Sequence, residues 1–475
     1  MIGRTEEARL LKDIARQDRS QFVVVYGRRR VGKTFLVRET FDYRFAFTHT
    51  GMESASMETQ LASFHEDLLD QGAETSPRPK SWLEAFSLLK KFLKSRPEGR
   101  KVIFLDELPW MDTPKSGFVP ALENFWNGWC SARRDILLVA CGSATSWMAK
   151  KILRNKGGLF NRAGRTIFLE PFTLGQCEEF VREQGLAMDR REITEGYMAF
   201  GGSPYYWSLL DPRRSMAQNI DRMCFSASGE LVPEFKRLYA SVFNRPERFL
   251  KIVSALAERQ CGLTRAEISV ATGLPETGLL TDALEDLELS GFIRRFEPIG
   301  AKKKGTVFQL MDCFTLFHLR FMAGRPAARG GFWTTSVDTP ACAAWEGLAF
   351  ERVCFWHEEQ IKAALGISGV SSTVCAWRGH GEGGAPRAQI DMLIDRRDGV
   401  VNVCEIKFSS VPFSIDARYA ESLRNKIATF KEAAAPRKSV HLTFITAEGL
   451  KRNSHSGMVQ SEVTLDDLFR PPEPR

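Results

Sequence analysis

Residues Gly27 to Thr34 read GRRRVGKT, and their types and spacing suit the binding of a triphosphate. The two glycines let the backbone curl so that its N–H groups face phosphate oxygens, while Lys33 reaches the β and γ phosphates and Thr34 ligates magnesium. The octet therefore predicts a site for ATP and Mg²⁺. The predicted ATP-binding residues are Gly27, Arg28, Arg29, Arg30, Val31, Gly32, Lys33, Thr34 and Phe35.

Two carboxylates follow an apolar run in the stretch VIFLDEL. The run predicts a buried strand that delivers Asp106 and Glu107 to the carboxyl edge of an open α/β sheet, where such sheets bind ligands. Asp106 is expected to hold magnesium through water, and Glu107 to orient or deprotonate the water that attacks the γ phosphate. The alternative is an acidic strand end that only faces solvent.

Residues 1–210 alternate strand-like runs with longer helix-like segments, which predicts a parallel sheet covered by helices on both faces. The apolar stripe Trp82, Phe86, Leu89 and Leu93 has helical spacing and is expected in the core. The predicted strands are Phe22–Tyr26, Phe45–Thr48, Val102–Leu105, Ile136–Cys141 and Thr166–Leu169.

Length and composition limit the class of protein. A chain of 475 residues is too long for one hydrophobic core, and its net charge of +8 permits contact with nucleic acid without requiring it. The ten cysteines include no Cys-x-x-Cys pair, which argues against a zinc ribbon and favours a reducing compartment. Neither a secretion signal nor a membrane-spanning stretch is evident, so a cytoplasmic protein without a membrane partner is expected.

The first 210 residues resemble the archaeal-type ATPases, a P-loop family related to AAA+ and STAND proteins. The octet, IGRTEEARLL, LDELPW, CGSATSWM and GGSPYYW are similar to stretches of that family. The resemblance implies that Ser143 is a sensor of the γ phosphate. It also implies that Arg162 or Arg165, in NRAGRTIFLEPF, is an arginine finger, although both arginines could equally lie on the surface. Arg28, Arg29 and Arg30 either add charge against phosphate or face solvent.

Residues 211–245 are predicted to form a linker and a lid helix, and residues 246–311 resemble a winged helix. Thr264 and Glu267 form a capping box before the first helix of this pattern, and two strand-like runs flank a basic loop at Lys302, Lys303 and Lys304. The second helix presents acidic residues, which argues against docking in a major groove and favours a structural or lid role. The lysine loop could still bind a nucleic-acid backbone without specificity. The acidic residues are Glu276, Asp282, Glu285, Asp286 and Glu288.

The stretch AQIDMLIDRRDGVVNVCEIKF lies in the last predicted domain, residues 312–475. Alternation along a strand puts Glu405 and Lys407 on one face, and a hairpin partner can place Asp391 beside them. Asp391 and Glu405 would chelate magnesium while Lys407 orients water or stabilises the developing charge. The alternative is an ordinary salt-bridged surface hairpin.

This pattern resembles the PD-(D/E)xK nuclease superfamily, although QID lacks the proline of its name. WEGLAFERVC is similar to the helix of that fold, with Glu351 at its common extra metal-facing glutamate and Glu346 as the less favoured candidate. The domain order matches archaeal-type ATPases that end in a restriction-endonuclease-like domain. The fold class expected is therefore α/β, with a P-loop NTPase parallel sheet, then a winged helix, then an α/β restriction-endonuclease-like domain.

These patterns are compatible with three functions. The first is an ATPase whose nucleotide state controls metal-dependent cleavage or binding of nucleic acid by the C-terminal domain. The second is a STAND-like signalling ATPase with an inert C-terminal domain that binds a protein partner or a second copy. The third is a motor of transposons or chromosomes that binds DNA without cutting it. ATP binding is common to all three.

Overall fold

The computed structural model describes residues 1–153, 165–243, 245–299, 305–325, 331–337, 339–380, 386–434 and 437–471. The chain divides into two compact units, the first formed by Met1–Pro171 with Ala240–Asn244 and the second by Phe172–Tyr239 with Arg245–Arg475. Arg162 and the lysine loop at Lys302, Lys303 and Lys304 lie outside the described residues. Within these ranges, no helix is both long and apolar enough to cross a membrane.

The first unit contains a sheet in which every strand pair is parallel, with the order β2-β3-β4-β1-β5. This confirms the predicted parallel sheet. The second strand begins two residues later than predicted, and Phe45 instead packs its ring against Phe104, with centroids 5.4 Å apart. The strands are β1 (Gln21–Tyr26), β2 (Phe47–Thr50), β3 (Lys101–Asp106), β4 (Ile136–Gly142) and β5 (Arg165–Phe168).

Helices cover both faces of this sheet. Alternate residues of each strand point to opposite faces and belong to two different apolar clusters. One cluster joins Phe22, Ile103 and Leu138 to α3, α4 and α6, whereas the other joins Val23 and Val139 to α1 and α2. The helices are α1 (Thr5–Ala15), α2 (Lys33–Thr40), α3 (Met57–Asp70), α4 (Trp82–Ser95), α5 (Leu108–Met111), α6 (Phe118–Phe125) and α7 (Thr145–Trp147).

The second unit begins with helical segments and continues into a small antiparallel sheet of order β6-β8-β7. The capping box predicted at Thr264 and Glu267 is present and starts α14. The helices are α8 (Leu174–Glu183), α9 (Arg190–Phe200), α10 (Pro204–Trp207), α11 (Met216–Ile220), α12 (Glu234–Val242, of which the residues from Ala240 onward belong to the first unit), α13 (Pro246–Ala257), α14 (Arg265–Thr272) and α15 (Gly278–Leu289). The strands are β6 (Leu263–Thr264), β7 (Ile293–Phe296) and β8 (Val307–Leu310).

The remainder of the second unit is built on a mixed sheet of order β13-β12-β11-β10-β9. Strands β9, β10 and β11 are antiparallel neighbours, and β11, β12 and β13 are parallel. The strands are β9 (Ser372–His380), β10 (Pro386–Arg396), β11 (Val400–Lys407), β12 (Ser439–Thr446) and β13 (Ser461–Thr464). The helices are α16 (Cys313–Phe317), α17 (Pro340–Trp356), α18 (Glu358–Ala364), α19 (Ala417–Ala434) and α20 (Leu465–Phe469).

A β-bulge interrupts β10 at Asp391. Ile390 pairs with Trp377 and Leu393 with Cys375, so Asp391 and Met392 together oppose one residue of β9. Bulges of this kind bend a strand and redirect a side chain, and they are frequent beside active sites.

Candidate functional site

The octet forms a tight loop between β1 and α2. A Cβ atom at Gly27 would lie 2.3 Å from the carbonyl oxygen of Leu169, so only glycine fits there. Gly32 has a φ of 89° and precedes the first residue of α2. Arg30 also has a positive φ, 72°, in the left-handed region that L-residues seldom adopt. These constraints fix the conformation of the loop, which leads directly into the amino end of α2.

The ammonium group of Lys33 lies inside this loop. Its Nζ donates to the carbonyl oxygens of Gly27, at 3.1 Å, and Arg28, at 2.8 Å, and the residue is only 5% exposed. Burial lowers the pKa of Lys33, an effect that Glu107 and Asp106 partly oppose. A phosphate oxygen arriving at the loop would offer this buried cation a charged partner in place of neutral carbonyls.

Asp106 lies directly beside Thr34. The Thr34 hydroxyl donates to Oδ2 of Asp106 at 2.8 Å, across 72 positions of sequence. The contact forms because β4 lies between β1 and β3 in the parallel sheet, which brings the carboxyl ends of all three strands to one edge. Burial, and then the neighbouring Glu107, raise the pKa of Asp106, while the Thr34 bond acts in the opposite direction.

Glu107 and Ser143 form the neighbouring contact at this edge. Glu107 adopts a left-handed backbone conformation, φ 49° and ψ 51°, which is uncommon for a side chain of this type and typical of functional sites. Its Oε2 accepts bonds from the hydroxyl of Ser143, at 2.7 Å, and from the Ser143 backbone N–H, at 3.1 Å. A polar group just beyond the end of β4 is therefore joined to one just beyond the end of β3.

The other predicted residues of the nucleotide site are less enclosed. Arg28, Arg29 and Arg30 are half-buried, whereas Val31 is buried and Phe35 is 54% exposed. Arg165 is exposed and starts β5, where it lies level with Val23. That level is three residues, or about 10 Å, short of the carboxyl edge.

Arg4 is a site residue to which the sequence assigned no role. Its Nη2 donates to the carbonyl oxygens of Val31, at 3.2 Å, and Glu170, at 2.6 Å, and the residue is 5% exposed. Arg4 thereby ties the phosphate loop to the chain that leaves β5. The signal was present in IGRTEEARLL, but its partners lie 27 and 166 positions away.

Replacement of Arg4 by alanine is expected to lower the free energy of unfolding by about 3 kcal/mol, because the buried guanidinium group loses two charge-assisted bonds to backbone carbonyls. ATP affinity should fall as well, since the loop loses its tether. Thermal unfolding and nucleotide titration would measure both effects. The control is Arg9→Ala, which replaces an exposed arginine of the following helix α1. Equal behaviour of the two variants would contradict the assigned role.

The oxygen donors at this edge fit a magnesium nucleotide. The Thr34 hydroxyl and the Asp106 carboxylate are hard oxygen ligands in mutual contact, next to the buried ammonium of Lys33. Mg²⁺ in nucleotide sites is characteristically held by one or two protein oxygens together with phosphates and water.

A second group of charged side chains lies at the mixed sheet of the second unit. Glu405 and Lys407 extend from β11, with Lys407 Nζ 2.9 Å from Glu405 Oε1. Asp391 lies on β10 beside them, where its Oδ2 accepts the backbone N–H of Ile406 at 3.2 Å. Burial, and then Glu405, raise the pKa of Asp391 to about 6. The three residues predicted as a triad are thus neighbours.

Helix α19 contributes two partners of Glu405 that sequence reasoning missed. The Tyr419 hydroxyl donates to Oε1 at 2.5 Å, and Lys426 Nζ donates to Oε2 at 2.6 Å. Burial acts to raise the pKa of Glu405, but Lys407 and Lys426 outweigh it and lower the pKa overall. Tyr419 and Lys426 are seven residues apart and so share a helix face, yet nothing in that spacing identifies their partner.

Glu351, on α17, faces the same group of carboxylates, whereas Glu346 instead contacts Cys342. Burial, and then Asp391, raise the pKa of Glu351 to about 8. Its Oε1 accepts a short bond from Gln260, and its Oε2 lies 3.5 Å from the guanidinium of Arg352. Neither partner was foreseen from the sequence.

The acidic residues of this site suit one cation that takes only a few of its ligands from the protein. Among the described residues, no group of three or more His, Cys, Asp or Glu side chains forms a ready metal cage. Asp391 and Glu405 nevertheless offer two adjacent carboxylates, which is a donor set that Mg²⁺ accepts when substrate and water complete its shell.

Residues 1–210 match the family model described as the ATPase domain predominantly from Archaea. An uncharacterized protein of Methanocaldococcus jannaschii is 25% identical over 357 residues, which is 74% of this chain and 76% of that protein.

Three solved structures are similar. A Walker-type ATPase of Pyrococcus abyssi has a TM-score of 0.46 and 18% identity, over 67% of this chain and 96% of its own. The ORC2 protein of Aeropyrum pernix has a TM-score of 0.42 and 14% identity, over 67% of this chain and 93% of its own. A STAND protein of Pyrococcus horikoshii with a tetratricopeptide repeat sensor has a TM-score of 0.30 and 16% identity, over 77% of this chain and 49% of its own.

The parallel sheet, the phosphate loop and the Thr34–Asp106 contact define a P-loop nucleotide-binding domain. The match of residues 1–210 to the archaeal-type ATPase domain agrees with this assignment and supports an ATP-binding ATPase domain over these residues.

Proposed function

We propose that ATP binding and hydrolysis in the first unit control a metal-dependent nuclease-like site in the second unit, which acts on nucleic acid. The observation on which the proposal rests is the convergence of Asp391, Glu405 and Lys407 on adjacent strands, with Lys407 2.9 Å from Glu405. A lysine beside two buried carboxylates is suited to phosphodiester hydrolysis.

The nucleotide site supplies positioning and charge. Lys33 and the backbone of the loop would hold the β and γ phosphates, and Thr34 with Asp106 would hold a Mg²⁺ ion, which when bound supplies positive charge against those phosphates. Glu107 orients the attacking water and accepts its proton, and Ser143, which holds Glu107 at 2.7 Å, contacts the γ phosphate when nucleotide binds. An arginine finger comes from Arg165 or Arg162, the latter outside the described residues.

Replacement of Glu107 by glutamine is expected to slow ATP turnover roughly a hundredfold, since a positioned general base contributes at least that factor. ATP affinity should change little, because the amide preserves the shape of the side chain and its bonds to Ser143. Steady-state turnover and nucleotide titration separate the two quantities. A parallel loss of binding would assign Glu107 to the architecture of the loop instead.

The second site would hold a divalent cation on Asp391 and Glu405, with Glu351 adjacent. That cation would supply Lewis-acid activation of a phosphodiester and of water. Lys407 stabilises charge that develops on the phosphate or orients the attacking water.

Contacts within the second unit connect residues 246–311 to this site. Gln260 donates to Glu351, and its backbone oxygen accepts a bond from Arg352 at 2.8 Å. Arg378 of β9 pairs with Glu267 of α14 at 2.9 Å. The proposed winged helix therefore contacts the carboxylate site, which supports a control or lid role. Its α15 also carries Glu288 paired with Arg295 at 3.1 Å, consistent with a helix that does not dock on DNA.

A second candidate is a STAND-like signalling ATPase in which the C-terminal domain is inert and captures a protein partner. The observation in its favour is the neutralisation of Glu405 by two lysines, at 2.9 and 2.6 Å. Plasmid nicking with Mg²⁺ or Mn²⁺, alongside ATPase assays with and without DNA, tests the two. Nicking supports the proposed function, whereas nucleotide-dependent partner capture without cleavage by any divalent ion supports the second candidate. DNA-stimulated turnover without cleavage would instead indicate a DNA motor.

A further inference from the structure

The carboxylate of Glu405 has two oxygens with different kinds of partner. Oε1 accepts from Lys407 at 2.9 Å and from Tyr419 at 2.5 Å, whereas Oε2 accepts from Lys426 at 2.6 Å. Glu405 is itself 4% exposed at the side chain, so this negative charge is compensated by ammonium groups rather than by bulk water. A cation binding to Oε2 would have to take the place of Lys426.

Lys407 has aromatic neighbours as well as Glu405. It shares β11 with Glu405, two residues away, and its Nζ lies 5.5 Å from the ring centroid of Tyr419 and 5.9 Å from that of Phe413. Aromatic faces attract an ammonium group and add to its retention. These contacts favour retention of Lys407 beside Oε1.

The side chain of Lys426 has a second position available to it. Its side chain reaches Glu405 from α19 and also lines an open groove of about 320 Å³ between α19 and β10. A flexible four-carbon stem allows the ammonium to turn from one side to the other at little cost. The other residues of the groove are Ala388, Arg418, Glu421, Ser422, Asn425 and Thr429.

Electrostatic interactions determine which of its two positions Lys426 would take. A divalent cation on Asp391 and Glu405 would repel an ammonium group that shares the same carboxylate, while a nucleic-acid phosphate in the groove would attract it. Arg418 together with the hydroxyl and amide groups of Ser422, Asn425 and Thr429 would complete the contacts of such a phosphate.

We propose that Lys426 is a displaceable counter-ion: it binds Glu405 while the site lacks a divalent cation, and turns into the groove to contact a nucleic-acid phosphate when the cation binds. This inference rests on the proposed nuclease-like function of the second unit. It assigns to α19 a positioning residue for the nucleic acid that the sequence pattern did not reveal.

The test measures cation and nucleic-acid binding rather than cleavage. Mn²⁺ binding to the full chain would be titrated calorimetrically for the unsubstituted protein and for Lys426→Met, Lys431→Met and Asp391→Asn, with thermal unfolding to verify folding. Removing the competing ammonium should tighten Mn²⁺ binding about fivefold to tenfold. Lys431→Met, an exposed position of the same helix, should leave it unchanged, and Asp391→Asn should abolish the site.

Binding to a short DNA duplex, measured with Ca²⁺ and with EDTA, provides the second readout. With Ca²⁺, Lys426→Met should bind more weakly and its salt slope should fall by about 0.9, the value for one lost phosphate contact. With EDTA the variant should match the unsubstituted protein, because Lys426 is then on Glu405. A purely structural lysine would affect both conditions equally.

Failure of this inference is distinguishable from failure of the proposed function. If Mn²⁺ binds in an Asp391-dependent way and Lys426→Met does not change its affinity, the exchange is refuted and the cation site stands. If neither the unsubstituted protein nor Lys426→Met binds Mn²⁺, both are refuted.

Discussion

Replacement of Lys33 by alanine is expected to reduce ATP turnover at least about a hundredfold, which is the effect of removing one group aimed at developing transition-state charge. ATP affinity should fall too, since the ammonium that faces the β and γ phosphates is lost. The residue is buried against two loop carbonyls, so no other side chain of the loop can readily take its position. Nucleotide titration and steady-state turnover measure the two effects.

The matched control is Arg38→Ala, which removes a cation from the last turn of the same helix. It should retain ATP turnover close to that of the unsubstituted protein. Turnover by Lys33→Ala at the unsubstituted rate would remove the assignment of the octet as a phosphate cradle.

Replacement of Lys407 by alanine is expected to abolish Mg²⁺-dependent nicking of plasmid, with a loss of about a hundredfold or more. The physical reason is the position of its ammonium group, which lies 2.9 Å from Glu405 and interacts with the carboxylates of both Glu405 and Asp391. Asp391→Asn should have a similar effect by removing a cation ligand. Gel assays of supercoiled plasmid measure the rate.

Lys451→Ala is the control for this experiment, because Lys451 is an exposed lysine of the same unit. It should nick at the unsubstituted rate. Loss of nicking in Lys451→Ala as well would point to general attraction of DNA by positive charge, and ATPase activity retained in Lys407→Ala would show that the first unit is intact.

The first unit could be predicted in outline because its signals are local. One apolar run ends in Asp106 and another ends at Gly27, and each specifies a buried strand whose carboxyl end lies at the same edge of a parallel sheet. The close approach of Gly27 to the carbonyl oxygen of Leu169 is a consequence of strand β5 that spacing alone does not state. The same holds for Arg4, which contacts Val31 and Glu170.

The second unit was less predictable because its site is assembled from helices and strands far apart in sequence. Strand alternation suggested Asp391, Glu405 and Lys407, but neither the bulge at Asp391 nor the bond that its carboxylate accepts from the Ile406 N–H. Lys426 is 21 positions from Glu405, and on sequence grounds it was simply another lysine of a long polar helix. Its role depends on which helix face meets the sheet, which is a property of packing.

In the proposed function, the nucleotide state of the first unit governs the carboxylate site of the second. The most direct test is plasmid nicking by the full chain without nucleotide, with ATP and with a non-hydrolysable analogue, in the unsubstituted protein and in Lys33→Ala. The account predicts that nicking by the unsubstituted protein changes with nucleotide, and that Lys33→Ala nicks at the nucleotide-free rate in every condition. Nicking at one rate in all three nucleotide conditions by the unsubstituted protein would contradict it.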